Sequence, residues 1–558
     1  MVTVAISTAP QAPQEARTFT FDHPDLGKLT GVVSPESVVQ FRAIPYATIP
    51  GRFKRSVLLD NLEATTRDFT KSGFTCPQTF GSNLPGGGPF PGEVWPPASD
   101  EYSCLTLQIN VPLACVKDGP SRISGLPLLT YIHGGGFVLG KIDEQHNTAH
   151  MVSQSTSSSP LVSASLQYRL GALGFFQTPE PESSNLGLYD QRNALLWLQR
   201  FASGFGADPG KHTVFGESAG AMSITYHMLS IPPPTGPLFQ KAILMSGVPG
   251  PIGAPVPPDV AQGLYNMLLD TLGIKERGTE SVAKLRELPV EQIVAASGAL
   301  SEAGVFWAWQ QDEEWSGKEK GVITWDKVPE LVGNCDWVNE IVLGCAALEG
   351  QMFLDKIAFM TPTLFFQAMS AQLGANSAQM IMDAYNITVD MDQSLFLGAA
   401  LRWIGDVAFD APTHALAKYL TTHTTKKVYR YTFDIRNPFP GHGLYNLPHH
   451  WVDVYFIFKT FQFRYPRQKL KDISTQHAQL WLDFANGKAG GPWSEYRYGD
   501  GADAVIIVAD EREGWVERTV AQDEELRELG LKRVEQLWDA WLPSVGQKYF
   551  EPNKFGPA

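Results

Sequence analysis

His212-Thr213-Val214-Phe215-Gly216-Glu217-Ser218-Ala219-Gly220 is the stretch on which the reading of this chain turns. A β-rich apolar run enters a G-x-S-x-G, and a second apolar run, AMSITYHML, leaves it with helical character. The two glycines permit a tight strand-to-helix turn that a Cβ would obstruct, with Ser218 at its apex. Such a turn exposes the serine hydroxyl to a neighbouring base and leaves the N–H of Ala219, at the helix start, free to face a developing oxyanion. A short glycine pattern alone often marks only a turn. The strand before this one and the helix after it favour a nucleophile.

A second glycine run lies where a nucleophile of this kind needs it. The apolar run ending at Tyr131-Ile132 passes straight into His133-Gly134-Gly135-Gly136-Phe137. Successive glycines let backbone N–H groups converge, and each well-placed donor to an oxyanion is worth roughly 3 to 4 kcal/mol of barrier. Gly135 and Gly136 are the expected donors. Gly86-Gly87-Gly88 has no strand before it and reads as a loop.

Around these two motifs, β-rich apolar runs at 126–133, 161–168, 212–216, 241–246, 340–345 and 427–433 alternate with helical stretches. That alternation predicts a mainly parallel α/β sheet, most of it supplied by these six runs, with helices on its faces. In the stretch 187–206, Leu188, Leu195, Leu198 and Ala202 share one helical face and should cover the sheet. Residues 356–420 read as mostly helical, broken near Ala375 and Asn376 and again over 386–392, as an inserted cap would be. The segment 76–104 is too dense in Pro and Gly for a continuous helix and reads as a long loop. Residues 1–18 read as a tail by composition. With no internal repeat and no linker-like shift, 19–553 is expected to be a single domain.

Composition closes off several classes. With 43% apolar, 11% aromatic and 18% charged residues among 558, the chain is too rich in core-forming side chains to be disordered. Its net charge of −14 repels nucleic acid and anionic lipid surfaces. No apolar run approaches the ~20 residues of a membrane span. The first basic residue is Arg17 and the early apolar run covers only 2–6, so no signal peptide is read. A cytoplasmic location is expected, or a secreted one if a leader has been lost. Five cysteines without a CxxC pair indicate neither a zinc site nor a thioredoxin-like motif. His146 and His150, with Glu144 nearby, lack the H-E-x-x-H arrangement and read as a solvated loop. There is no phosphate-binding G-x-x-x-x-G-K-[ST] and no G-x-G-x-x-G after a strand. Neither metal nor cofactor is expected. Asn386-Ile387-Thr388 is a glycosylation sequon, meaningful only on a secreted chain.

Further stretches carry a resemblance: Phe41-Arg42-Ala43-Ile44-Pro45-Tyr46-Ala47, Tyr168-Arg169-Leu170 through Gly174-Phe175, Gly187-Leu188-Tyr189-Asp190-Gln191-Arg192, Phe205-Gly206-Ala207-Asp208-Pro209, Met245-Ser246-Gly247 and Gly405-Asp406-Val407-Ala408-Phe409. With the two glycine motifs, they make the chain resemble the type-B carboxylesterases over most of its length. These are α/β-hydrolases that include cholinesterases and fungal esterases and lipases. The resemblance implies an α/β-hydrolase fold with a large, mostly parallel central sheet, helices on both faces and a helical cap.

It also implies a triad in the chain order Ser, Glu, His. Glu349, in Ala347-Leu348-Glu349-Gly350, matches the family's acid-then-glycine motif. His450, in His449-His450-Trp451-Val452-Asp453, matches its histidine motif, with His449 and His442 as alternatives. A buried carboxylate on the imidazole N–H would fix the tautomer and stabilise the imidazolium formed during attack. Glu217, Ser246 and Asp453 match supporting polar positions, and Cys76 with Cys104 matches a disulfide closing the loop over the gorge. Two departures stand out. Tyr102-Ser103 precedes Cys104 where the family has acids, and Trp307-Ala308-Trp309-Gln310 follows Phe306 where a proline-containing stretch is usual. Trp307 and Trp309, with Phe137 and Trp95, are the expected substrate-pocket residues.

The sequence thus points to a serine hydrolase that cleaves small to medium, uncharged, soluble carboxylic esters through an acyl-enzyme. By analogy alone these are secondary metabolites or xenobiotics in a fungus. Acyl transfer on the same scaffold is one alternative. A non-catalytic, cholinesterase-like interaction module is another, which retention of all three triad candidates disfavours. Oligomeric state is left open.

Overall fold

Twelve strands build one sheet in the computed structural model, which describes residues 17–63, 66–79, 90, 93–117, 124–488, 493–527 and 530–546. In chain order these strands are β1 (Thr18–His23), β2 (Gly27–Val33), β3 (Val38–Pro45), β4 (Thr106–Pro112), β5 (Leu126–Ile132), β6 (Val162–Leu166), β7 (Ala207–Glu217), β8 (Lys241–Met245), β9 (Glu340–Ala346), β10 (Lys427–Asp434), β11 (Val505–Asp510) and β12 (Gly514–Thr519). Across the sheet they lie in the order β1-β2-β3-β4-β6-β5-β7-β8-β9-β10-β11-β12.

The six runs picked out by sequence are the contiguous block from β6 to β10, every pair in it parallel. They supply half of the sheet, not most of it. Missing from the sequence reading were the antiparallel strands β1–β4 and the pair β11–β12. For β1, β2 and β12 the reason is exposure. Parallel central strands are covered on both faces and read as continuous apolar runs, whereas β1, β2 and β12 are partly exposed and mix polar with apolar residues.

The two faces of the sheet carry separate cores. On one lie Leu128, Ala164, Val214, Leu244 and Leu343. On the other lie their chain neighbours Leu129, Phe215, Ile243 and Val342, because successive side chains of a strand point to opposite faces. The helix Leu186–Phe201 buries Leu188, Leu195 and Leu198 as its periodicity requires, and Ala202 is buried in the turn that follows. The helix Ala219–Met228 is buried along its whole length.

Between 354 and 423 the chain forms the helices Leu354–Ile357, Pro362–Leu373, Ala375–Ala384, Gln393–Gly405 and Ala411–His423, with a π-helical segment Asp406–Asp410 before the last. The breaks fall at Gly374, whose φ is 87°, and over 385–392, close to where the sequence puts them. Ala411–His423 packs on β9 and β10 and is their crossover, so the sheet claims the end of the expected cap.

Within 76–104 the described residues contain no helix. Two ion pairs tie this loop down. Arg52 makes a buried two-pronged pair with Glu101, 2.7 Å on each arm, and Lys141 holds Glu93 at 3.1 Å. Cys76 and Cys104, expected as a disulfide, are both buried free thiols in the structure. Burial, and then the neighbouring Cys104, push the Cys76 thiol well up. The expected tail falls largely on residues 1–16, outside those described, and the first strand begins at Thr18. No described helix is long and apolar enough to cross a membrane.

Candidate active site

Four parallel strands deliver the site. β5, β7, β8 and β9 end side by side, and from their carboxyl ends emerge the Gly134–136 run, Ser218, Ser246 and Glu349. Open α/β sheets place ligand sites at that edge.

Ser218 joins β7 to the helix Ala219–Met228 with φ 56° and ψ −124°, a conformation costing a non-glycine residue of order 1 to 3 kcal/mol. Its N–H is held by Met245 O on β8 at 2.8 Å. The flanking glycines are required by close approach. A Cβ on Gly220 would stand 2.1 Å from Ile132 O, and one on Gly216 would stand 2.6 Å from the Gly220 carbonyl carbon. Ala219 opens the helix, where leading N–H groups lack intrahelical partners. Gly135 and Gly136 take φ of 110° and 60°, and Gly135 O accepts the N–H groups of Val138 and Leu139 at 3.1 Å each. Among the described residues, the N–H groups of Gly135 and Gly136 meet no acceptor.

Glu349 lies just past β9 with three donors on its carboxylate. Ser246 Oγ–H donates to Oε1 at 2.6 Å, the N–H of Ala346 to the same oxygen at 2.5 Å, and His450 Nδ1 faces Oε2 at 2.6 Å. The sequence alternatives to His450 point elsewhere: His449 Nε2 and His442 Nδ1 each face the amide of Asn437, at 3.0 and 3.1 Å. Burial pushes the His449 imidazole down to about 4.

The opposite side of the His450 ring faces a second acid. Nε2 is 3.1 Å from Glu217 Oε1, in contact but outside hydrogen-bond geometry. Among the described residues no hydrogen bond joins Ser218 Oγ to His450. Glu217 has no exposed surface, and burial, with Asp453 and Glu349 nearby, holds its carboxyl well above the usual range. Asp453 is equally buried. It accepts the Tyr431 O–H at 3.1 Å and is pushed up to about 7, first by burial and then by the Glu349 charge. Three carboxyls therefore surround one imidazole, and the surroundings favour keeping the proton on two of them.

Phe409 completes the setting. Its ring stacks on His450 with centroids 4.4 Å apart and planes 22° apart. It belongs to the π-helical segment Asp406–Asp410, a helix irregularity often found at functional sites. In the sequence Phe409 stands out only as part of a family-like stretch, because no local pattern marks a contact so distant along the chain.

The expected pocket aromatics need correction. Trp307 and Trp309 are 1% and 0% exposed. Trp307 packs on Phe176 and donates its indole N–H to Ser301 Oγ, while Trp309 packs on Tyr226. Phe137 is likewise buried, against Phe175. All three lie in the core, since large apolar rings gain most by full burial. Trp95 is half-buried with the Lys141 ammonium 5.3 Å from its ring, beside the Glu93 ion pair that pins the loop. His146, expected on a solvated loop, is buried, with Nδ1 on Asp143 at 2.6 Å.

An elbow serine, a carboxylate–imidazole pair and free backbone donors at the carboxyl edge of a mostly parallel sheet define the α/β-hydrolase fold. Residues 22–500 match the model of the carboxylesterase family, and the chain belongs to that family, whose chemistry is the hydrolysis of carboxylic esters. Lipase 3 of Yarrowia lipolytica is 28% identical over 83% of this chain and 87% of its own length. The acetylcholinesterase of Danio rerio is 36% identical over 42% of this chain and 37% of its own. A solved PNB esterase superposes with a TM-score of 0.73 at 24% identity, covering 93% of this chain and 99% of that one.

Proposed function

We propose that the chain hydrolyses its ester through a serine acyl-enzyme, with Ser218 as nucleophile, His450 as base and Glu349 as the acid that orients it. The observation that carries this is the 2.6 Å contact of His450 Nδ1 with Glu349 Oε2 beside the strained turn at Ser218. With Nδ1 engaged, Nε2 is the ring's basic nitrogen, and it lies against the residue that precedes Ser218. As Ser218 Oγ bonds to the ester carbonyl carbon, its proton passes to Nε2 and the carbonyl oxygen becomes an anion facing the N–H groups of Gly135, Gly136 and Ala219. Collapse breaks the bond to the alcohol oxygen, which takes the proton from His450. Water, deprotonated by the same nitrogen, then releases the acid and restores the serine.

The loop 76–104 is too rich in proline for an amphipathic lid helix, which supports soluble, uncharged esters of small to medium size over an interfacial lipid. Secondary metabolites and xenobiotics are the substrate classes proposed, by analogy with the family. Labelling with a fluorophosphonate should modify Ser218 alone, and Ser218→Ala should lower turnover by about five to six orders of magnitude with little change in substrate binding. Retained hydrolysis in that variant refutes the assignment.

A further inference from the structure

An ion pair that no step of the proposed hydrolysis uses grips the π-helical segment Asp406–Asp410 from outside the catalytic cluster. Asp406 opens the segment and is buried. Its Oδ2 accepts the Arg533 Nε–H at 2.7 Å and the Tyr385 O–H at 2.6 Å, and the Arg533 guanidinium lies 5.6 Å from the Tyr385 ring. Arg533 stands in the first turn of the helix Leu531–Trp541, and Tyr385 follows the last turn of Ala375–Ala384, so two helices far apart in sequence meet on one carboxylate. The helix Leu531–Trp541 packs on Ala375–Ala384 and on the π-helical segment itself. The segment is widened where Pro412 follows it. Proline has no N–H to give Ala408 O and its ring crowds that carbonyl, while the N–H of Ala411 reaches back five residues to Asp406 O.

Residues on either side of Asp406 touch the two halves of the carboxylate–imidazole pair. One residue earlier, a Cβ on Gly405 would stand 2.5 Å from Gly350 N and 3.2 Å from Glu349 Cβ, and a Cβ on Gly350 would overlap Leu401 O. The last turn of the helix Gln393–Gly405 therefore rests directly on the turn that carries Glu349. Three residues after Asp406, the Phe409 ring stacks on His450. We propose that Asp406, held by Arg533 and Tyr385, is a positioning residue: it fixes the π-helical turn, and through it the Phe409 ring, against the imidazole, on the same helix end that seats Glu349. The proposal rests on reading His450 as the base and Glu349 as its acid.

Removing Arg533 outright would strand a buried carboxylate and cost mainly stability, so the test uses smaller changes. Asp406→Asn keeps the shape and an acceptor for the Tyr385 O–H but loses the charge that Arg533 meets. Tyr385→Phe removes one hydroxyl and decides the matter alone where Asp406→Asn gives no folded protein. Each is made in the parent and in Phe409→Ala, and kcat and KM for p-nitrophenyl acetate are measured per site titrated with a fluorophosphonate, which counts only reactive, folded sites. In the parent, kcat per site should fall about tenfold for Asp406→Asn and about threefold for Tyr385→Phe, with KM within about twofold, because misplacing a catalytic group by up to ~1 Å costs as much as 10²-fold. On Phe409→Ala the same changes should cost less than about twofold more, since residues that act through one contact do not add. A carboxylate that only stabilises the fold would lower the titratable fraction and leave kcat per site unchanged. That result, or a full loss that persists on Phe409→Ala, overturns the proposal. If Glu349→Gln leaves kcat intact, the acid–base reading itself has failed; if Glu349→Gln costs activity and neither Asp406→Asn nor Tyr385→Phe does, only the positioning role has.

Discussion

Replacing Asp453 by asparagine tests the electrostatics of the site through stability. Burial and the Glu349 charge raise the carboxyl from 3.8 to about 7, which is worth about 4 kcal/mol. Below pH 4 both folded and unfolded chains keep this proton, and the group contributes no pH dependence. Between pH 4 and pH 7 the unfolded chain releases it while the folded chain holds it, so folding stability falls as pH rises, and the loss is complete above pH 7. Asparagine has the same shape, can still accept the Tyr431 O–H and does not titrate. Urea unfolding of both proteins from pH 4 to pH 8 measures the difference, and groups that titrate alike in both cancel. The stability of Asp453→Asn relative to the parent should climb by about 4 kcal/mol across that window. A difference that stays flat would show that Asp453 ionises as an ordinary carboxyl, and the picture of two neutral acids beside His450 would fail.

Other expectations follow from the contacts around His450. Glu349→Gln replaces an acceptor facing Nδ1 by an amide that can present a donor, so kcat on p-nitrophenyl acetate should fall about 10⁴-fold with KM little changed; a loss under tenfold would remove Glu349 from the proposed triad. Phe409→Ala takes away the ring stacked at 4.4 Å on the imidazole, and kcat should drop about tenfold as the proposed base loses its fixed orientation, since small misplacements cost of that order or more. Phe409→Leu, which restores bulk without a flat face, should recover only part of that loss, and full recovery would mean that volume alone matters. Lys141→Ala leaves Glu93 and Asp143 without their shared cation, and limited proteolysis within 76–104 should accelerate; unchanged cleavage would show that the loop is held by other contacts.

Legibility in the sequence tracked how local the cause of each feature was. The turn at Ser218 was readable because its glycines are dictated by backbone contacts within a few residues and one neighbouring strand. The six central strands were readable because burial on both faces leaves a continuous apolar run. Half-exposed edge strands leave a weaker trace, and β1, β2 and β12 were missed for that reason. Trp307 and Trp309 show a different limit: residue type told that they are large and apolar, but not that the fold buries them in the core. The choice of His450 over His449 needed coordinates, since adjacent residues share a motif while their rings face Glu349 and Asn437 respectively.

The two acids on either side of His450 differ in what surrounds them, and that difference gives the ring a direction. Glu349 meets three donors, one from a serine hydroxyl, one from the backbone and one from the imidazole, so both its oxygens are engaged. Glu217, by contrast, lies wholly buried with neither carboxyl oxygen in a hydrogen bond, and so close to Gly134 that a Cβ there would stand 3.0 Å from Glu217 Oε2 and from Trp451 Cζ3. An ionised Glu217 would hold the ring as imidazolium from the Nε2 side, and a ring already protonated could not take the Ser218 proton in the proposed mechanism. Holding Glu217 neutral removes that competition while leaving a small polar group beside Nε2, and the apolar packing around it is what raises its proton affinity. Glu217→Ala should consequently leave the Glu349–His450 pair intact, whereas Glu217→Lys would place a cation against the imidazole. In the lysine variant, esterase activity should vanish below the pH at which that ammonium is lost and return above it; an activity profile with the same midpoint as the parent would mean that the residue at 217 does not sense the ring.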